Sequence, residues 1–294
     1  MESYDSESAY LQALEARAVL PEGFKCAVHS LTFRPRERQA AAPLPMNLSL
    51  ILLDRPTPDF GAVFTRNLFP GAPVVIGRSR LSQPLARGIL VNNKIANVCT
   101  PRGVPDAEQL LRRLGALVGA APEQLLCAST GIIGWELPVA EMEQALPSLA
   151  AGLSGGSLLP VARAIMTTDA FPKVRSRAVG NGRIVGVAKG AGMIEPNMAT
   201  LLCFLCTDVA VPRDHLRADL AWGVERTLNR LSIDGDQSTS DTAILFSSGA
   251  RGPADREEFR QALREVLAGL AFDIVRNAEG IGHALRVRVN GART

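Results

Sequence analysis

The stretch from Lys189 to Cys206, KGAGMIEPNMATLLCFLC, runs a glycine-rich bend and a small residue into a threonine at the mouth of an apolar strand. Such a bend commonly does no more than join two strands. A phosphate cradle does not fit, because Lys189 precedes the glycines and neither a P-loop spacing nor GxGxxG is present. A second reading gives Thr200 chemistry. A threonine hydroxyl alone is a weak nucleophile, but a free α-amine, with a reference pKa of about 7.7 to 8.0, can take its proton near neutral pH. That requires the Ala199–Thr200 peptide bond to break. A strained turn before a rigid strand favours the break by aiming the Thr200 hydroxyl at the preceding carbonyl. The nucleophile would then carry its own base.

Other residues have chemistry to offer. The apolar run LLCAS from Leu125 ends in Thr130-Gly131, where a hydroxyl and a backbone N–H at a tight strand exit could be fixed donors to a developing oxyanion. A plain turn is the alternative there. Asp234, Asp236 and Asp241 have near-alternate spacing, but Gly235 is out of place for a calcium loop and no bidentate Glu closes it. IDGDQSTSDT therefore reads as a structural turn near the nucleophile, with Ser238 and Thr239 available to support its amine. Cys203 and Cys206, three apart on a strand, point to opposite faces and read as buried thiols, not as a redox or zinc pair. His29, His215 and His283 stand alone without metal-ligand spacing. No metal and no organic cofactor is expected.

The elements that must position these residues follow from pattern. With 294 residues, 47% apolar and 21% charged, the chain has the make-up of a globular protein. A net charge of +3 is too small to gather nucleic acid. The longest aliphatic stretch, Leu48 to Leu53, is far short of the roughly 20 residues of a membrane span. An acidic N-terminus without a basic region followed by an apolar one, and five scattered cysteines, predict a cytoplasmic protein with reduced thiols. The first 20 residues read as a helical arm before the main unit, 21–294. LSLILLD, GAVFTRN, APVVIG and ARGILVNN read as strands, and DAEQLLRRLGALVGA as a helix behind Asp106. Two helical segments, AEMEQALPSLAAGL and PVARAIMTT, come next, and then the strands RIVGVAK and TLLCFLCTDVAV. Two long amphipathic helices follow, the second burying Phe259, Leu263, Val266, Leu267, Leu270 and Ile274. ALRVRV reads as a closing strand. Strands in runs and helices in runs predict layered α+β architecture.

The string KGAGMIEPNMAT closely resembles the self-cleavage signature of the ornithine acetyltransferases, the bifunctional glutamate N-acetyltransferase family. ASTGIIG (128–134) is a second specific block; GAVFTRN (61–67), AIMTTDAFPK (164–173) and IDGDQSTSDTAILF (233–246) are similar to further blocks in the same order. The resemblance implies an αββα sandwich of the N-terminal-nucleophile type. It implies self-cleavage between Ala199 and Thr200 into an α chain (1–199) and a β chain (200–294), assembled as a heterotetramer of two of each. Thr200 is then the nucleophile, and Thr130 and Gly131 form the oxyanion hole. Thr167, Lys189, Thr200 and Glu279 contact substrate, with Thr168 an adjacent competitor for the role of Thr167. The implied activity is ping-pong transfer of acetyl from N-acetylornithine to glutamate, without nucleic acid or membrane partners.

The chain also departs from the family pattern. NAEGIGH surrounds Glu279 where DGEGATK is usual, and VNNKIANVCT (91–100) replaces a block close to VNSGNANACTG, introducing Lys94 and Ile95. The family's further C-terminal segment, with its DPNWGR-like block and two substrate contacts, has no counterpart in these residues. An autoprocessed amidase or aminopeptidase, and a non-catalytic relative, are the alternative expectations.

Overall fold

The computed structural model describes residues 4–38, 42–195 and 201–291. Ala199 and Thr200, on which the expected cleavage falls, lie outside the described residues. Helix α1 (Glu7–Arg17) starts where the Ser6 hydroxyl accepts from the Ala9 N–H at 3.1 Å. Strands β1 (Phe24–Phe33), β2 (Leu44–Thr57) and β3 (Phe60–Phe64) follow, then α2 (Ala72–Arg80), β4 (Ala86–Asn92), α3 (Gly103–Val118) and β5 (Leu125–Ser129). Next come α4 (Val139–Ala151), α5 (Leu159–Ala164), β6 (Lys173–Val179), β7 (Gly182–Lys189) and β8 (Leu202–Thr207). Helix α6 (Arg213–Arg226), β9 (Thr242–Ser247) and α7 (Arg256–Arg276) complete the described elements.

Among the described residues the strands form two sheets, in the orders β1-β2-β4-β5 and β3-β9-β8-β7-β6. All neighbours are antiparallel except β4 with β5 and β8 with β9. Period-2 alternation shows how the sheets stack. In β8, Leu202, Phe204 and Cys206 enter a core shared with Ile51, Ile89 and Leu126 of the other sheet. Cys203 and Leu205 face the opposite way, against Leu220 of α6 and Leu263 and Leu267 of α7. A third core packs the outer face of the four-stranded sheet on α2, α3 and α4 through Leu50, Leu90, Ile76, Leu111 and Leu146. The result is the expected αββα sandwich, with the expected apolar face of α7 buried. Leu14 and Ala18, in and just after α1, are buried in the inter-sheet core, and the Tyr10 hydroxyl donates to the Pro172 carbonyl at 2.8 Å.

Three sequence expectations are corrected. APVVIG is the start of α2, not a strand: six apolar residues fit either element, and Pro73 in the first turn favours the helix. Helix α3 begins at Gly103, so Asp106 lies in its first turn and pairs with Arg102 at 3.0 Å; it does not cap the helix. ALRVRV forms no strand among the described residues, and Leu285, Val287 and Val289 are exposed. Alternating side chains make a strand only when a neighbouring edge supplies hydrogen bonds.

Candidate active site

The site begins where β4 and β5, parallel neighbours, end together. Past Asn92 the chain turns through positive φ at Lys94 (72°), Asn97 (55°) and Cys99 (59°). Asn92 organises this turn: its amide donates to the Ile95 carbonyl at 2.8 Å and its Oδ1 accepts from the Ser129 hydroxyl at 2.6 Å. The turn then lies alongside the exit of β5. Thr130 N–H donates to the Asn92 carbonyl at 3.1 Å, Ile132 N–H to the Lys94 carbonyl at 2.9 Å, and Ala96 N–H to the Ile132 carbonyl at 2.9 Å. Gly131, at φ 136°, passes so close to this turn that a Cβ would sit 2.1 Å from the Lys94 carbonyl carbon. Only glycine fits there. The Gly131 N–H has no acceptor among the described residues. The departure at Ile95 places its side chain in the core.

Lys189 reaches the same place from the second sheet. It ends β7, is almost fully buried, and its Nζ donates to Thr130 Oγ1 at 3.1 Å. Burial pulls its ammonium below the ordinary lysine value, against the opposing pull of the Asp169 carboxylate. Because Thr130 accepts this bond, its own hydroxyl hydrogen is left to donate elsewhere. Lys189 is paired in register with Leu202, so the glycine bend returns the chain to the same end of the sheet. There the Leu201 N–H donates to Asp241 Oδ1 at 2.7 Å, and its carbonyl accepts from Thr242 N–H at 3.1 Å. Leu201 is the residue bonded to Thr200. The structure thus brings Thr130, Gly131, Lys189 and the entry to β8 together.

Asp241, read from sequence as part of a structural turn, is the residue that reading missed. It is completely buried, and its Oδ2 has no hydrogen-bond partner among the described residues. Burial pushes its carboxyl well above the usual aspartate range, although the Leu201 N–H and the Lys189 charge pull the other way. A carboxylate immediately before the apolar run TAILF was the available signal. Residues 238–240 are fixed by the exit of β3, where Thr65 Oγ1 donates to the Ser238 carbonyl at 2.8 Å, and by Gly71, whose N–H donates to the Thr239 carbonyl at 2.8 Å. Asp234 binds the bend itself, accepting from the N–H groups of Met193 and Ile194. No metal-holding group of His, Cys, Asp and Glu exists among the described residues. Cys203 and Cys206 occupy different cores, as the strand period requires, and burial pushes the Cys203 thiol up to about 12.

The remaining expected contacts lie around the bend. Thr167 is half-buried, with its N–H on Asp169 Oδ2 at 3.2 Å, whereas Thr168 is exposed. Glu279 is exposed; its N–H donates to the Ala191 carbonyl at 2.8 Å, and its carboxyl carbon lies 3.2 Å from where a Cβ on Gly192 would be. No helix of the described residues is long and apolar enough to cross a membrane.

A model of the ArgJ family matches residues 39–294. The arginine biosynthesis bifunctional protein ArgJ of Rhodococcoides fascians is 40% identical over 294 residues, covering 99% of this chain and 69% of its own length. The glutamate N-acetyltransferase Oat2 of Streptomyces clavuligerus is 40% identical over 233 residues, 79% of this chain and 59% of its own. Among solved structures, the l-aminopeptidase d-ala-esterase/amidase of Ochrobactrum anthropi, a variant of the Ntn hydrolase fold, matches with a TM-score of 0.54 at 14% identity. That match covers 91% of this chain and 88% of the other. This last likeness is one of fold alone.

Proposed function

The chain belongs to the ArgJ family, acyltransferases of arginine biosynthesis, and from that premise we propose that Thr200, freed at its nitrogen by self-cleavage, carries acetyl from N-acetylornithine to glutamate in the cytoplasm. The Thr200 hydroxyl attacks the acetyl carbonyl while its own α-amine takes the hydroxyl proton. The tetrahedral oxyanion is held by the Thr130 hydroxyl and the Gly131 N–H. Lys189, donating to Thr130 Oγ1, polarises that hydroxyl and makes it the stronger donor. Collapse expels the ornithine amine, which leaves with the proton, and an acetyl-Thr200 ester remains. The glutamate amine attacks this ester, gives up a proton to the Thr200 amine, and leaves as N-acetylglutamate with the Thr200 hydroxyl restored. Thr167, Lys189 and Glu279 hold the amino-acid portions of both substrates.

The single observation that carries the reading is the 3.1 Å bond from Lys189 to Thr130. It joins two sheets beside the Gly131 N–H, which has no acceptor among the described residues, at the point where Leu201 enters β8. The assembly proposed with it is two α and two β fragments. The test is acetyl transfer measured by product analysis with and without glutamate. N-acetylglutamate formed with ornithine only when glutamate is present supports the reading; ornithine and acetate released at the same rate without glutamate would mean that water is the acceptor.

A further inference from the structure

A buried ion pair behind the site belongs to none of the steps above. Lys173 and Asp169 are both fully buried at their side chains and meet at 2.6 Å. Lys173 Nζ also donates to Asn277 Oδ1 at 2.8 Å and to the Phe171 carbonyl at 3.4 Å. The Phe171 ring lies 5.2 Å from the ammonium, and Tyr10 of α1 packs edge-on against that ring. Burial pushes the Asp169 carboxyl up, but the Lys173 and Lys189 charges and the Gly190 N–H overcome it and keep the group ionised.

The acceptors in this cluster tie separate segments together. Asp169 Oδ2 accepts from Thr167 N–H at 3.2 Å, and Asp169 Oδ1 from Gly190 N–H, directly after Lys189, at 2.8 Å. Asn277 Oδ1, at the end of α7, accepts from the N–H groups of Ala170 and Phe171 at 3.1 and 3.3 Å. Two residues on, Glu279 N–H donates to the Ala191 carbonyl. Three chain segments, the loop after α5, the bend after β7 and the end of α7, therefore converge on one ion pair. A buried ion pair is a poor stabiliser, since apolar residues of equal volume often do as well or better. What apolar residues cannot do is accept from the N–H groups of Thr167 and Gly190 at once.

We propose that Asp169, Lys173 and Asn277 form a positioning unit that sets the spacing of Thr167, Lys189 and Glu279 and so determines the binding of both amino-acid substrates. The proposal rests on the reading of those three residues as substrate contacts. It acts first on binding: the oxyanion donors and Leu201 hang on β5, β8 and Asp241, and the ion pair reaches them only through Lys189, whereas Thr167 and, through Asn277, Glu279 depend on it. Asp169 also supports the charge of Lys189, which is faced in addition by Lys173, Asp241 and Glu279. Removing the Asp169 charge shifts the Lys189 titration to lower pH.

The test uses self-cleaved, purified protein, with Asp169→Asn and the apolar pair Asp169→Leu with Lys173→Met, the latter guarding against loss of fold. The probe for acylation alone is p-nitrophenyl acetate, an acetyl donor with no amino-acid portion. Both variants are expected to raise KM for N-acetylornithine and for glutamate by about tenfold or more. The p-nitrophenyl acetate burst, which loses only what Lys189 lends to Thr130, falls by less than kcat/KM for N-acetylornithine does. In Asp169→Asn the alkaline limb of kcat/KM for the donor moves to lower pH. Unchanged KM values in the apolar pair, or equal losses with both donors, would overturn the proposal. A parent protein that transfers no acetyl would overturn the functional reading first, and this inference with it.

Discussion

At the residue scale, two expectations separate the roles of Thr130 and Asp241. Thr130→Ala removes the proposed oxyanion donor, so kcat should fall by about 10²- to 10³-fold, and it takes the acceptor from buried Lys189, so the melting temperature should fall by a few degrees; steady-state kinetics and thermal melts check this. Asp241 differs because its carboxyl is raised in the folded protein. A raised group favours the folded state while protonated, so its contribution is complete below the unfolded value of about 3.9. It is lost as pH rises through the folded value. Asp241→Asn has no such loss, so its melting temperature should gain on the parent as pH rises above about 4; a gap that does not change with pH contradicts the assignment. The roles proposed for Thr130, Gly131 and Lys189 came from the family resemblance, whose blocks are each contiguous in the sequence. Asp241 offered only the weak signal of a carboxylate before an apolar run, because its significance lies in burial next to Leu201, 40 positions away.

At the element scale, what could be read was governed by period and length. Helix α7 spans Arg256–Arg276 with an unbroken apolar face, and that face is buried as its 3.6-residue spacing demands. Leu267 is completely buried, so Leu267→Ala should cost about 2 to 5 kcal/mol, measurable as a lower urea midpoint without loss of the α7 helical signal. Strand β6 escaped notice because Arg175, Ser176, Arg177 and Ala178 are half-buried or exposed on the edge of the sheet, where alternation is weak. It is held from outside by Arg175, which makes two 2.7 Å bonds to Asp273 of α7. ALRVRV failed in the opposite way, having the alternation but no partner strand among the described residues.

Across the whole molecule, the sheet order decides what the proposed self-cleavage would do. In β3-β9-β8-β7-β6, the strands after residue 200, β8 and β9, sit between β3 and β7, which precede it. The two fragments of the proposed cut would therefore share one sheet, whose hydrogen bonds must break before they part. Cleaved protein should elute as a single complex in native size exclusion and separate only under denaturing conditions; fragments that part in native buffer would contradict this topology.

The central claim is that Thr200 is an acyl-carrying N-terminus. Intact mass measurement after incubation with N-acetylornithine, without glutamate, tests it most directly. The expected result is two fragments meeting between residues 199 and 200, with the fragment beginning Thr-Leu-Leu-Cys heavier by one acetyl group. A single uncut chain, or a cut protein on which that fragment never gains mass, would contradict it.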